Sequence, residues 1–298
     1  MRWWTYQKER FPIFQHGILV IAFSSSAVAY SAMLGGANDG GIVPAWSAFI
    51  VAFITVLIFF LQLRIADEFK DAEEDAKYRP YRAVPRGLVS LRELGYVFVG
   101  GMLIQLGLTL WLEPKLLILL LVTWGYLALM SVEFFARDWL KERHITYLWT
   151  HMLIMPLVDL FATACHWLPT GSNTGGLNFF LIASFFNGIV IEIGRKLRQP
   201  EKEQEGVPTY SKLWGLKVAS LVWLGCILTT ATFAYLAAIK IGFFIPVLCI
   251  LSPLCVWSAW TSFHHEKTSS KRFELIAGLW TLALYLSLGI IPLLTITS

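Results

Sequence analysis

Runs of mostly apolar residues, each about twenty long, recur from one end of the chain to the other. A helix needs about 17–25 such residues to cross the hydrocarbon core of a bilayer. Charges and helix breakers delimit nine candidates, at residues 12–36, 44–66, 92–112, 114–137, 148–168, 176–198, 214–239, 243–264 and 273–296. Of the 298 residues, 56% are hydrophobic and only 15% charged, against about 25% charged in a soluble domain. That composition excludes a soluble enzyme, a disordered chain and a free nucleic-acid binder, so no nucleic-acid partner is expected. The expected fold class is all-α, a polytopic membrane protein of about nine transmembrane helices. The 13 Trp, 10 Tyr and 21 Phe suit rings at the two membrane interfaces.

Charge placement orients the spans. With the N-terminus in the cytoplasm, all of the 24 Lys and Arg except Lys115 and Lys240 fall on the inner side, as the positive-inside rule requires. This supports an odd number of spans in an integral membrane protein, with a bacterial inner membrane the expected location. The first apolar run follows Arg2, Lys8 and Arg10 as a signal peptide would. Its Ser24–Ala32 segment reads better as a small-residue packing face, so the run is expected to be retained as a span. Cys165, Cys226, Cys249 and Cys255 lie in apolar runs without a pairing or metal-ligand pattern, which excludes a disulfide scaffold or a zinc site.

The charged stretch after the second span, Leu61–Ser90, carries the chemistry. Asp67, Asp71 and Asp75 repeat at i, i+4 and i+8, which on a continuing helix predicts one acidic face. Like charges so spaced suit a hard cation such as Mg²⁺, which takes a few carboxylates together with substrate phosphates. Lys77, Arg79, Arg82 and Arg86 follow, among Pro80 and Pro85. Basic groups beside an acidic face predict a phosphorylated ligand, since Arg binds phosphate oxygens bidentately. A solvated loop that only obeys the charge rule is the plainer alternative.

The segment DEFKDAEEDAKYRPYRAVPRG resembles the first aspartate-rich motif of the UbiA superfamily of intramembrane prenyltransferases, N-D-x-x-D-x-x-x-D followed by R-P-x-R-x-x-P-x-G. Asp67 stands at the motif's Asn, Glu68 at the adjoining Asp, and Asp71 and Asp75 at the later Asps. Arg79, Pro80, Arg82, Pro85 and Gly87 match the tail. The resemblance implies a single transmembrane domain over residues 1–298 with a central cavity opening to the cytoplasmic side. The family's second motif, two or three Asps ending the sixth span, is altered. In Asn187–Gly215, Glu192 stands for the first Asp, Lys196 lies one turn later, and Arg195 and Arg198 flank it. Glu201, Glu203 and Glu205 come too late to stack on Glu192. One Mg²⁺ rather than two, with Arg195 and Lys196 as substitute counter-charge, is the expectation. A degenerate motif in a chain of lost or changed activity is the alternative. A third segment, Phe134–Trp149, is loosely similar to the family's basic loop through Lys141, Arg143 and Thr146, with Arg137 and Tyr147 nearby.

What the resemblance implies is transfer of a prenyl group from an isoprenyl diphosphate to an aromatic or other lipophilic acceptor within the lipid. Asp67, Glu68, Asp71, Asp75 and Glu192 would hold metal, with Asp67, Asp71, Asp75 and Glu192 catalytic. Lys77, Arg79, Arg82, Asn187, Arg195, Lys196, Arg137, Lys141, Arg143 and Tyr147 would bind substrate. Phe59, Phe60, Phe185 and Phe186 are candidate walls for an allylic cation, since ring faces attract cations; lipid-facing packing is the alternative. Asp159 and His151, inside the fifth span, are candidates for an acceptor pocket or for helix–helix hydrogen bonds. Glu133 is expected to pair with Arg137 at i, i+4. His264 and His265 are adjacent and so point apart on a helix. A terpene cyclase of the same superfamily, a phosphoribosyl-transferring relative and a permease are the alternative functions.

Overall fold

The computed structural model describes residues 1–36, 40, 41, 43–203 and 209–297; Asp39 and Glu205 lie outside them. Among the described residues there is no strand. The chain packs as two compact units, residues 1–28 with 44–169 and residues 29–43 with 170–298.

The first unit opens with a short helix, α1 (Arg2–Arg10), and the start of α2 (Ile13–Leu34). It continues through α3 (Trp46–Lys70), α4 (Ala72–Tyr78), α5 (Leu91–Leu112), α6 (Leu116–Ser131), α7 (Arg137–Lys141), α8 (His144–Met152) and α9 (Ile154–Thr170). The second unit holds the end of α2, then α10 (Leu177–Arg195), α11 (Tyr210–Trp214), α12 (Leu216–Lys240), α13 (Phe244–Phe263), α14 (Ser270–Leu288) and α15 (Ile290–Thr297).

Among the described residues, eight helical stretches are long and apolar enough to cross a membrane, and the chain is an integral membrane protein. The fourth expected span, 114–137, is instead the 16-residue α6. Its helix stops at Ser131 because Glu133, Phe134 and Phe135 turn left-handed, at φ 50°, 52° and 57°. Each such residue costs about 1 kcal/mol or more without glycine's freedom.

Local sequence explains the ends nearest the motifs. Ser90 opens α5 with a reciprocal cap: its Oγ accepts from Glu93 N at 3.2 Å, and Glu93 Oε2 accepts from Ser90 N at 2.9 Å. Such a cap satisfies two donors that a helix start leaves open. In the first unit, α5 lies so close to α3 that a Cβ on Gly101 would meet Ile58 Cγ2 at 2.8 Å. Gln105 Nε2 donates to Thr55 O at 3.1 Å, and Trp124 Nε1 donates to Gln105 Oε1 at 2.9 Å. Such polar ties replace the hydrophobic drive that is weak between helices in lipid.

The second unit is built the same way around α10. A Cβ on Gly194 would sit 2.9 Å from Ala277 Cβ and 3.2 Å from Trp223 Nε1. Trp223 donates to Val190 O at 3.0 Å, Thr281 to Asn187 Oδ1 at 3.1 Å, and Tyr285 OH to Ser184 Oγ at 3.2 Å.

Candidate functional site

The helix carrying the acidic motif bends where the motif is centred. Asp71 ends α3 and precedes α4 at φ −95°, ψ 6°. Backbone bonds still run from Asp71 N to Asp67 O at 2.9 Å and from Asp75 N to Asp71 O at 2.8 Å. The three aspartates therefore occupy successive turns, but they do not share one environment. Eight residues at 3.6 per turn overshoot by about 80°, whereas seven undershoot by about 20°. Asp75 thus falls in line with Glu68, not with Asp67.

That drift divides the motif. Asp67, with 47% of its side chain exposed, lies 3.7 Å from Arg64 Nη1, and Asp71 is half-buried. Glu68 and Asp75 are buried. Glu68 Oε1 accepts from Arg10 Nε and, at 3.3 Å, from Arg64 Nη2. Asp75 Oδ1 accepts from Arg79 Nη1 and Arg82 Nη1, both at 2.8 Å, and Arg82 Nη1 also reaches Oδ2 at 2.6 Å. Arg10 Nη2 stands 3.9 Å from Asp75 Oδ2. Arginine thus faces both oxygens of Asp75, which was expected to ligate metal. Glu68, expected in the same role, is tied to Arg10 and Arg64.

The stretch after α4 is a packed turn series. Ala83 and Val89 join Tyr6, Ile65 and Leu94 in one core cluster. Gly87, at φ 76°, lets the chain reverse there, and Leu88 N closes on Ala83 O at 2.9 Å. Burial, helped by the Glu68 charge, pushes the Tyr6 hydroxyl well above its ordinary value. Lys77 is exposed and lies over the ring of Tyr78.

A second group of charges in the same unit is centred on Glu133. It was expected to pair with Arg137, but its partners are Lys70 Nζ at 3.1 Å and His151 Nε2 at 3.2 Å. The left-handed turn breaks the helical register on which an i, i+4 pair depends. Lys70 also donates to Tyr147 OH at 2.8 Å, Tyr147 OH donates to Glu133 Oε1 at 3.3 Å, and the Tyr147 and His151 rings stack at 3.8 Å. Burial would raise Glu133, yet the bond with His151 and the Lys70 charge hold its carboxyl down at about 2. Lys70 was not foreseen; its place between Asp67 and Asp71 in the motif was the available signal. Arg137, Lys141 and Arg143 are exposed, and Arg143 lies 4.4 Å over Trp139. Asp159 is buried within α9.

In the second unit, the altered motif closes on itself. Glu192 Oε2 accepts from Arg195 Nη2 at 2.8 Å, and Lys196 Nζ lies 2.7 Å from Glu192 Oε1. Asn187 is fully buried, and its Oδ1 accepts from Thr281 on α14. Glu203 accepts from Thr209 and Ser211, both at 2.7 Å, and so secures the segment entering α11. Of the candidate cation walls, Phe59 is buried edge-to-face against Phe161, and Phe60 packs edge-on to Phe23. Phe185 and Phe186 form a T-shaped pair.

Among the described residues, no three His, Cys, Asp or Glu side chains are grouped so as to enclose a metal ion. Asp67 and Asp71, partly exposed and one turn apart, do fit a cation that takes one or two carboxylates and completes its shell with phosphate oxygens.

The fold defines an all-helical membrane protein, and its first unit carries an acidic, arginine-rich face. The family model described as UbiA prenyltransferase family matches residues 28–283, and the chain belongs to that family. Its fold is similar to the apo structure of a UbiA homolog from Aeropyrum pernix K1, with a TM-score of 0.68 and 13% identity over 90% of this chain and 95% of that one. It is also similar to a structure concerned with digeranylgeranylglyceryl phosphate synthase in membranes, with a TM-score of 0.59 and 16% identity over 93% of this chain and 99% of that one. No curated protein matches the chain.

Proposed function

We propose that the protein is a Mg²⁺-dependent intramembrane prenyltransferase that ionises an isoprenyl diphosphate and passes the prenyl group to an aromatic or other lipophilic acceptor. The observation that carries this reading is the division of the first motif: Asp67, beside Arg64, and Asp71 are partly exposed, and Arg79 and Arg82 are fixed on the buried Asp75. Asp67 and Asp71 would hold Mg²⁺, which when bound supplies positive charge to the departing diphosphate. Each guanidinium carries five donors, and Asp75 takes Nη1 of each, so Arg79 and Arg82 retain donors for phosphate oxygens. The C–O bond of the allylic diphosphate breaks with its electron pair leaving on the diphosphate. The acceptor nucleophile then closes on the allylic carbon and loses a proton. Fixed donors aimed at charge that grows during bond breaking stabilise the transition state. The N-terminus lies in the cytoplasm of a bacterial inner membrane in this reading, because that placement puts nearly all Lys and Arg inside.

The test is incubation of the purified chain with Mg²⁺ and allylic diphosphates, with and without lipophilic acceptors, following pyrophosphate release. Acceptor-dependent release supports transfer. Release with a cyclic hydrocarbon and no acceptor makes the protein a cyclase, and no release from any donor overturns the enzyme reading.

A further inference from the structure

The N-terminal helix α1 is tied to the first motif by more than chain connectivity. Arg2 donates to Glu93 Oε1 at the start of α5, and Arg86 Nη2 donates to Glu9 Oε1 at 2.8 Å from the turn series. Between them, Tyr6 is buried against Ile65, Ala83, Val89 and Leu94. Arg10 goes furthest in. With 11% of its side chain exposed, it donates through Nε to Glu68 and stands 3.9 Å through Nη2 from Asp75.

Glu68 and Asp75 lie on opposite sides of the break at Asp71. One guanidinium therefore addresses a carboxylate from each of the two helices that the break joins. The planar fork of Arg can serve two carboxylates in a fixed geometry, which the single nitrogen of Lys cannot. Asp75 is also the residue that holds Arg79 and Arg82.

We infer that Arg10 is a positioning residue for diphosphate binding: it clamps α3 to α4 across the Asp71 break and thereby sets Asp75 and the Arg79–Arg82 pair. This rests on the prenyltransferase reading above. Arg10 lies far outside the acidic motif in sequence, so α1 becomes part of the donor site and not merely a leader to the first span. The contacts of Arg10 are to Glu68 and Asp75, and Arg10 should therefore govern the grip on phosphate more than the grip on the metal.

The experiment uses the full-length protein in lipid nanodiscs as wild type, Arg10→Met and Arg10→Lys. Hydrogen exchange is followed over residues 68–82, and inorganic pyrophosphate with Mg²⁺ is titrated as the probe. Arg10→Met is expected to speed exchange in α4, to weaken pyrophosphate binding about 10-fold or more, as when one charge-assisted contact from Arg79 or Arg82 is misplaced, and to raise KM for the allylic donor similarly. Its kcat should change less than about 3-fold, a split that marks lost ground-state binding, and the Mg²⁺ half-saturation should move less than the pyrophosphate affinity. Arg10→Lys should recover part of the pyrophosphate affinity.

Unchanged exchange in α4, or unchanged pyrophosphate affinity in Arg10→Met while wild type binds, overturns the inference and leaves the enzyme reading standing. Equal losses in kcat, KM and Mg²⁺ response, without rescue by Lys, reduce Arg10 to a general structural part and also overturn it. Wild type that neither binds pyrophosphate nor releases it from any allylic donor overturns the prenyltransferase reading itself, and the role of Arg10 falls with it.

Discussion

The two acidic motifs of this chain treat negative charge in opposite ways. In the first unit, four carboxylates are sorted by helical phase: Glu68 and Asp75 turn inward to arginines, while Asp67 and Asp71 stay partly exposed. In the second unit, a single carboxylate, Glu192, is flanked by Arg195 and Lys196 from its own helix end. The first motif offers a cation somewhere to sit; the second already carries its own cations. On the proposed reading, the first unit would draw positive charge from a bound metal, whereas the second carries it on the side chains of Arg195 and Lys196.

The largest expected effect tests the first half of that contrast. Asp71→Ala should abolish pyrophosphate release, by about 1,000-fold or more, with the fold intact by circular dichroism; full activity would remove Asp71 from the metal site. Asp75→Asn should act differently, because it strands two arginines that are largely buried. Its thermal unfolding midpoint should fall by the equivalent of about 3 kcal/mol, with Mg²⁺ affinity little changed.

The Glu133 group extends the contrast to pH. A carboxyl held at about 2 instead of its ordinary 4.5 stabilises the fold above pH 4.5, and that contribution is lost as pH falls toward 2. Glu133→Gln should flatten this acid limb, by on the order of 2 kcal/mol, in pH-dependent unfolding. An unchanged limb would mean that the charges around α10 dominate acid stability. The smallest effect should come from Lys196→Asp, which restores the commoner acid in the second motif. Metal titration with pyrophosphate present should rise from one Mg²⁺ to two, with donor affinity shifting about 10-fold; unchanged stoichiometry would show that Lys196 does not stand in for a metal.

The spans were legible because burial in lipid demands long apolar runs, and α3, α5, α10, α12 and α13 end within a few residues of their expected limits. The motif residues were legible from spacing, and so was the Glu192–Lys196 pair, since i and i+4 are neighbours on a helix. Three features were not. The assignment of Asp75 to the face of Asp67 neglected the phase that accumulates over eight residues. The partnership of Arg10 with Glu68 joins residues 58 apart, beyond any local pattern. Glu133 lost its expected partner because the residues between it and Arg137 are not helical, which no propensity of Phe134 or Phe135 announces.

The brevity of α6 has a consequence for the lipid itself. Sixteen residues rise about 24 Å, short of a hydrocarbon core of about 30 Å. A helix that short meets the bilayer by thinning it locally or by drawing the aqueous boundary inward. The left-handed turn at Glu133–Phe135 then fixes where the shortfall is met, at the end that carries Glu133, Lys70 and Tyr147. Seen from the membrane, this end of α6 would sit in a dimple in the sheet, with the buried Glu133 and its partner Lys70 beneath it.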